Sequence, residues 1–306
     1  MAQLIKLEDY ISRYERNIYR YPGQFIRMKQ ENWKNLLQLW QNGSMQETTT
    51  ESEPVSVWSK WKELLGMKNR ETFEKTFSED SRLPETKEDL KHYFLDKLFP
   101  LQLQWASSTV AEVSFTKQAY EADTWLKFFL QRFSDTYLVM YYPVFNIRQA
   151  PVDGEIIVIG PTGIDIIYLA DTAAGTTIWA EQERTWTIQN QNKQQTKMLN
   201  PLFALKRTEQ IVKSILKRGD TSLPVTRVVL APSSNLIFHD KPYNTHLIGK
   251  LEYENWFHNK RRVVSPLKNQ QLKAAGLLLS MCRTTSVKRP EWEAKDAAFT
   301  NDYNDQ

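Results

Sequence analysis

The sequence predicts an α/β protein, a mixed-sheet core flanked by helices, with a helical appendage at its N-terminus. Three observations predict it. From about residue 111 the patterns run helix, strand, hairpin, helix, strand and helix, the alternation of a layered α/β fold. In the middle stands GEIIVIGPTGIDIIYLA (154–170), two strand-forming arms about a Gly-Pro-Thr-Gly turn, which reads as a β-hairpin. The first hundred residues instead repeat their aromatic and aliphatic side chains at helical spacing.

Taken in order, residues 5–41 read as helical. Tyr10, Ile11, Tyr14, Ile18 and Tyr19 form a first stripe, and Pro22-Gly23 interrupts it. A second stripe then runs from Phe25 to Trp40. Residues 42–54 are polar and read as a linker. Residues 55–100 read as helical again around Trp58 and Trp61, with breaks at Pro84 and Pro100. The helical N-terminal region is thus expected over 1–110, the sheet domain over 111–283, and a loose polar tail over 284–306. Within the sheet domain, residues 116–133 read as an amphipathic helix and 136–145 as a strand. A polar loop is expected around QNQNKQQTK (189–197). Asn200-Pro201 is a cap-and-proline helix entry, and Ser265-Pro266 is read as opening the final helix.

With 306 residues and 41% hydrophobic content, the chain can bury a real core. One cysteine, Cys282, excludes an intrachain disulfide framework and a cysteine-cluster metal site, so a reducing cytosol is the expected compartment. The N-terminus has early acids and no long apolar run, so neither a secretory signal nor a membrane span is expected. A net charge of +4 says little about nucleic acid by itself.

The order helix, strand, acid-bearing strand, turn, strand, helix is the one found in restriction-endonuclease-like nucleases. Residues 114–240 resemble more narrowly the nuclease-related domain, NERD, of bacterial proteins. EIIVIGPTGIDII, Trp186, Asn200-Pro201-Leu202 and the later TRVVLAPSSNLIF carry the resemblance. The segment YISRYERNIYRYPGQFIRMKQENW (10–33) looks like the extension such proteins carry in bacilli. The resemblance implies a restriction-endonuclease-like mixed-sheet core and a metal site with an Asp on the first arm and Glu-x-Lys on the second. Two carboxylates would hold a hard divalent cation, which would activate water and stabilise charge on a phosphate.

Aligned on Gly160, Pro161 and Gly163, those positions fall on Glu155, Tyr168 and Ala170, and a family Gln falls on Ala204. Strand alternation puts Ile164, Ile166, Tyr168 and Ala170 on one face and Asp165 and Asp171 on the other, so neither Asp replaces the missing Glu. Glu121 or Asp123 would be the helix-borne acid, and Lys206 or Arg207 a displaced cation. The bland reading of Glu155 is a solvated acid at a strand start, and of Tyr168 and Ala170 plain filling of the core. The resemblance with these losses implies a catalytically inactive protein that binds nucleic acid or serves as a scaffold, with no cofactor. The rivals are a nuclease using Mg²⁺ or Mn²⁺ on Glu155, and a protein-interaction module acting through the N-terminal helices.

Residues 255–290 contain no acid. Lys260, Arg261, Arg262, Lys268 and Lys273 there, with Lys206 and Arg207, are the expected contacts to DNA or RNA phosphates; the alternative is a solvated helix face. His92, His239, His246 and His258 show no zinc-hydrolase spacing. Gly-Pro-Thr-Gly lacks the Gly-Lys-Ser/Thr of a phosphate loop, and Cys282 sits in an apolar run as a structural thiol.

Overall fold

The computed structural model describes residues 1–45, 84–170, 172–239 and 242–289. The chain begins with β1 (Gln3–Leu7), α1 (Arg13–Arg16), α2 (Tyr21–Met45), α3 (Lys87–Trp105) and β2 (Glu112–Val113). A 3-10 turn (Gln118–Glu121) leads to α4 (Thr124–Arg132), β3 (Leu138–Tyr141), β4 (Val144–Ile147), β5 (Ala150–Asp153), β6 (Ile156–Ile159) and β7 (Ile164–Leu169). Then come β8 (Thr177–Ala180), β9 (Thr185–Gln189), β10 (Gln195–Leu199), α5 (Pro201–Arg218) and β11 (Val225–Leu230). The last elements are β12 (Asn235–Phe238), β13 (Thr245–Ile248), α6 (Lys250–Arg261), α7 (Asn269–Ser280) and β14 (Val287–Lys288). The protein is mixed α/β.

The main sheet has the order β1-β3-β6-β7-β11-β13. β1 is parallel to β3, β7 to β11 and β11 to β13, while β6 is antiparallel to both its neighbours. Five strands therefore run one way and β6 alone runs against them. The hairpin forms as its sequence suggests: Gly160 N–H donates to Gly163 O at 2.9 Å, and Ile156 faces Ile167 across the ladder. The first arm is buried throughout, and the second at Ile164, Ile166 and Ile167, as strands covered by helices are. A smaller sheet, β10-β9-β8-β12, stands beside this one.

Several expectations are corrected. Residues 3–7 are a strand rather than the start of a helix, and they form the edge of the main sheet. The Gln102 side chain protects that edge. It accepts from Leu4 N–H at 3.0 Å and donates to Ala2 O at 2.8 Å. Met1–Tyr21 accordingly belongs to one compact unit with Phe99–Gln306, and Pro22–Leu98 forms the other. Pro22 does not interrupt a helix but sits in the first turn of α2, where its missing N–H is harmless. Pro100 lies inside α3, held there by the buried Leu98, Phe99, Leu101 and Leu103 around it.

Other boundaries move as well. The expected helix over 116–133 is the 3-10 turn followed by α4, and a left-handed Tyr142 (φ 47°) splits the strand over 136–145 into β3 and β4. The polar loop at 189–197 is the turn of a hairpin, with Asn190 and Gln194 joined by backbone and side-chain bonds between β9 and β10. The final helix starts at Asn269, three residues beyond Pro266.

In the second unit the Trp33 ring lies 5.3 Å from that of Phe94, and Trp40 Nε1 donates to Pro84 O at 2.7 Å. The linker beyond residue 45 and the helical reading around Trp58 and Trp61 lie outside the described residues. Residues 284–289 of the tail pack on the fold: β14 pairs with β2, and Thr285 N–H donates to Asp9 O at 2.7 Å. Residues 290–306 lie outside the described residues. No helix among the described residues is long and apolar enough to cross a membrane.

Cys282 Sγ donates to Leu278 O at 3.4 Å, and burial pushes the thiol up to about 12. Because the thiolate is the reactive species, native protein is expected to resist iodoacetamide at pH 8 and to be alkylated promptly once unfolded in urea. Mass spectrometry of the labelled chain checks this.

Candidate functional site

The strand directions create the site. With β1, β3, β7, β11 and β13 all running one way, their C-terminal ends gather at one end of the sheet. The start of β6 joins them there, and Glu155 immediately precedes it. Continuing the β6–β7 register by one residue sets Glu155 opposite Tyr168 on the same face. The chain enters β6 through Gly154, where a Cβ would come within 2.9 Å of the Phe145 ring and 3.0 Å of Pro143 O; a glycine is required for that close approach.

Helix α5 covers this face. Asn200 caps it, accepting from Leu202 N–H at 2.9 Å, and Pro201 opens its first turn, as the sequence indicates. Leu205, Val212, Ile215 and Leu216 form its buried stripe. One turn along, Thr208 Oγ1 accepts from Glu155 N–H at 3.1 Å while donating to Ala204 O at 3.1 Å. The neighbouring Arg207 donates from Nη2 to Asp153 O at 3.0 Å. Burial raises the Glu155 carboxyl above the ordinary range; the Arg207 charge opposes that rise and Asp153 adds to it. The Tyr168 phenol is raised too, first by burial and then by Glu155. A half-buried carboxyl, a phenol and a guanidinium thus meet at the sheet end.

The remaining expected residues are distributed as follows. Ala170 is buried beyond the end of β7, and Ala204 holds Thr208 through its carbonyl. Asp165 lies on the other face of β7, paired with Lys260, while Asp171 lies outside the described residues. Asp123 caps α4, accepting from Trp125 and Leu126 N–H at 2.9 Å and from Tyr141 OH at 2.9 Å. The β3–β6 register puts Tyr141 beside Ile156, so this acid serves the face opposite Glu155. Glu121 is exposed on the 3-10 turn and is not among the charges that shift Glu155.

The structure does not bring the two basic clusters together. Arg207 stands at Glu155, with the exposed Lys206 beside it on the helix. The second cluster lies toward the other end of the sheet, where Gln271 Nε2 donates to Ile159 O at 2.9 Å and Tyr137 OH to Lys260 O at 3.0 Å. Asp165, to which Lys260 is bound, is three residues along β7 from Tyr168, about 10 Å at strand spacing. Arg261 rests on the Phe257 ring at 5.5 Å, and Lys273 donates to Asp220 O at 3.1 Å. Arg262 and Lys268 are exposed at the ends of α6 and α7.

A cleft of about 270 Å³ opens near the start of α5, lined in part by Glu181, Glu183, Trp186, Leu202 and His239. No motif or spacing in the residue pattern indicates it. It exists because Trp186 Nε1 donates to Glu181 O at 2.8 Å and Asn200 Nδ2 to Glu183 O at 2.8 Å. These two bonds fix the loop before β9. Among the described residues, no group of three or more His, Cys, Asp or Glu side chains is placed to hold a metal ion.

No family model matches the chain, and no solved structure matches it. One similar protein is the RNA 2',3'-cyclic phosphodiesterase of Geobacillus stearothermophilus, 37% identical over 114 residues. The match covers 33% of this chain and 36% of that protein, so the chain spans about a third of the length of the curated relative it matches. That relative is named as an enzyme acting on RNA. The match corrects the expectation of a catalytically inactive binder or scaffold, which rested on the kept hairpin, the replaced Glu and Lys and the basic clusters.

Proposed function

We propose that this chain is an RNA-directed phosphodiesterase, acting on 2',3'-cyclic phosphate ends, with Glu155, Arg207 and Tyr168 as its reaction centre. The observation that carries the reading is the half-buried Glu155 carboxyl beside Arg207 at the sheet end. The name of the similar protein supplies the substrate class.

Arg207 uses one donor on Asp153 O and keeps others for phosphate oxygens, which a guanidinium binds in bidentate fashion. Glu155 takes a proton from the attacking water as the new P–O bond forms. The P–O bond to one ribose oxygen breaks, and the proton returns to that oxygen, leaving a phosphomonoester beside a free hydroxyl. Tyr168, protonated at neutral pH, donates a hydrogen bond to the phosphate. One carboxylate beside a guanidinium is a poor donor set for a divalent cation, so the reaction is proposed to proceed without one.

The sheet itself is proposed to be a restriction-endonuclease-like core of the nuclease-related kind. The succession α4, β3, β6, β7, α5, β11 supports this. RNA as substrate and the single cysteine, Cys282, fit the reducing cytosol.

The pH dependence tests the reading. Glu155 must be ionised to accept a proton, so kcat is expected to rise with pH through a carboxyl pKa lying above the ordinary glutamate value of about 4.3. A rate profile without that limb would count against Glu155 as the base. Stability should show the same group with a defined sign. A raised folded-state pKa means the native protein holds the proton more tightly, so stability is lost as pH climbs from the unfolded toward the folded pKa. Glu155→Gln should remove that loss, as urea melts at pH 4 and pH 7 would show.

A further inference from the structure

A second group of side chains, away from Glu155, carries a charge imbalance. Arg13 and Arg16 stand on α1, and Arg16 Nη2 reaches Glu112 Oε2 at 3.2 Å. Glu112 is paired across the β2–β14 ribbon with Lys288. The next residue, Arg289, donates its backbone N–H to Ala111 O at 2.9 Å. Among the described residues, Arg16 and Lys288 thus stand at Glu112, with Arg13 on the same helix as Arg16 and Arg289 next along the ribbon. The Arg13 guanidinium lies over the Trp105 ring, 5.2 Å from its centroid.

The Nε atoms of Arg13 and Arg289 are both buried, and neither has a hydrogen-bond partner. An unbonded buried donor costs free energy, more so on a charged group. Burial chiefly lowers Arg13 from its usual value; Tyr21 opposes this, and the Arg289 charge then adds to the lowering, so the two guanidinium charges act against each other. An oxyanion between the two would satisfy both donors and cancel the repulsion. Glu112 is engaged by Arg16 and does not supply it.

We propose that Arg13 and Arg289 form a subsite for a phosphate group, with the Trp105 ring behind Arg13. Two planar guanidinium forks suit the several oxygens of a phosphate better than a lone halide. The group is either free inorganic phosphate or a phosphate of an RNA strand. The subsite stands independently of the reaction centre, because it shares no residue with Glu155, Tyr168 or Arg207.

The test uses the full chain, the double variant Arg13→Gln/Arg289→Gln and the Glu155→Gln protein. Thermal melting is followed with rising inorganic phosphate against sodium chloride of equal ionic strength. Phosphate should raise the Tm of the wild type and of Glu155→Gln, but not of the double variant, whose own Tm without phosphate should not fall because it sheds unpaired charge. In parallel, a 5'-phosphorylated oligoribonucleotide should bind the wild type roughly tenfold or more tightly than it binds the double variant if the site serves RNA. Equal RNA binding with a phosphate response lost in the double variant assigns the site to free phosphate. A phosphate response that survives the double substitution, or none beyond chloride in the wild type, overturns the proposal. Failure of the Glu155 chemistry would leave these melts unchanged.

Discussion

Glu155→Gln is expected to slow opening of a 2',3'-cyclic phosphate RNA end by about 10²- to 10⁴-fold, the usual contribution of a positioned general base. The substitution keeps the size of the side chain and leaves the Glu155 backbone N–H bond to Thr208 in place, so the fold should survive. Substrate affinity should change little, because phosphate binding is assigned in this proposal to Arg207. Arg207→Lys should behave differently. A lysine keeps the charge but loses the planar fork, and the loss of the bond to Asp153 O should raise KM more than it lowers kcat. Measured separately, kcat and KM for the two variants distinguish proton transfer from phosphate binding.

Glu15→Ala is expected to destabilise the protein by about 3–5 kcal/mol, because it leaves a buried charge without its partner. Lys6 is 0% exposed. Its ammonium donates to Glu15 at 2.5 Å, to Tyr10 O at 2.8 Å and to Thr284 Oγ1 at 3.1 Å. Three donors are thus matched by three acceptors, and Thr284 Oγ1 in turn donates to the other Glu15 oxygen at 3.1 Å. This network ties β1 to α1 and to the segment after α7. Replacing both partners with apolar residues, as in Lys6→Met/Glu15→Leu, should cost far less than Glu15→Ala. Urea denaturation of the single and double variants measures the difference.

These two sites differ in how far the sequence revealed them. The hairpin carrying Glu155 is local: β-branched arms and a Gly-Pro-Thr-Gly turn specify it within seventeen residues, and the cap at Asn200-Pro201 is equally local. Opposition of Glu155 and Tyr168 follows from hairpin register, so it was legible as well. Arg207 was a candidate cation by its place near the start of the helix, but Thr208 was not legible, and only the packing of α5 on the sheet brings both to Glu155. Likewise β1 reads as helix from its sequence: QLIKL precedes a run of helical spacing, and only pairing with β3 and the covering Gln102 make it a strand. The Lys260–Asp165 pair joins residues 95 apart in sequence, a contact no local pattern specifies. It took a cation assigned to phosphate binding and placed it in an ion pair within the fold.

Tyr168 and Ala170, standing where the nuclease-related domain would carry Glu and Lys, suggested lost chemistry, because metal-ligand spacing is a conspicuous signal. A carboxyl raised by burial beside a guanidinium leaves no such spacing. It depends on the depth of Glu155 beneath α5, and depth is set by tertiary packing.

The most direct measurement is single-turnover opening of an oligoribonucleotide bearing a 2',3'-cyclic phosphate end, with wild type and Glu155→Gln, each in EDTA and in Mg²⁺. The proposed centre predicts ring opening by the wild type at similar rates in both conditions and near-complete loss in the variant. No opening by the wild type, or opening that Glu155→Gln retains in full, would contradict it.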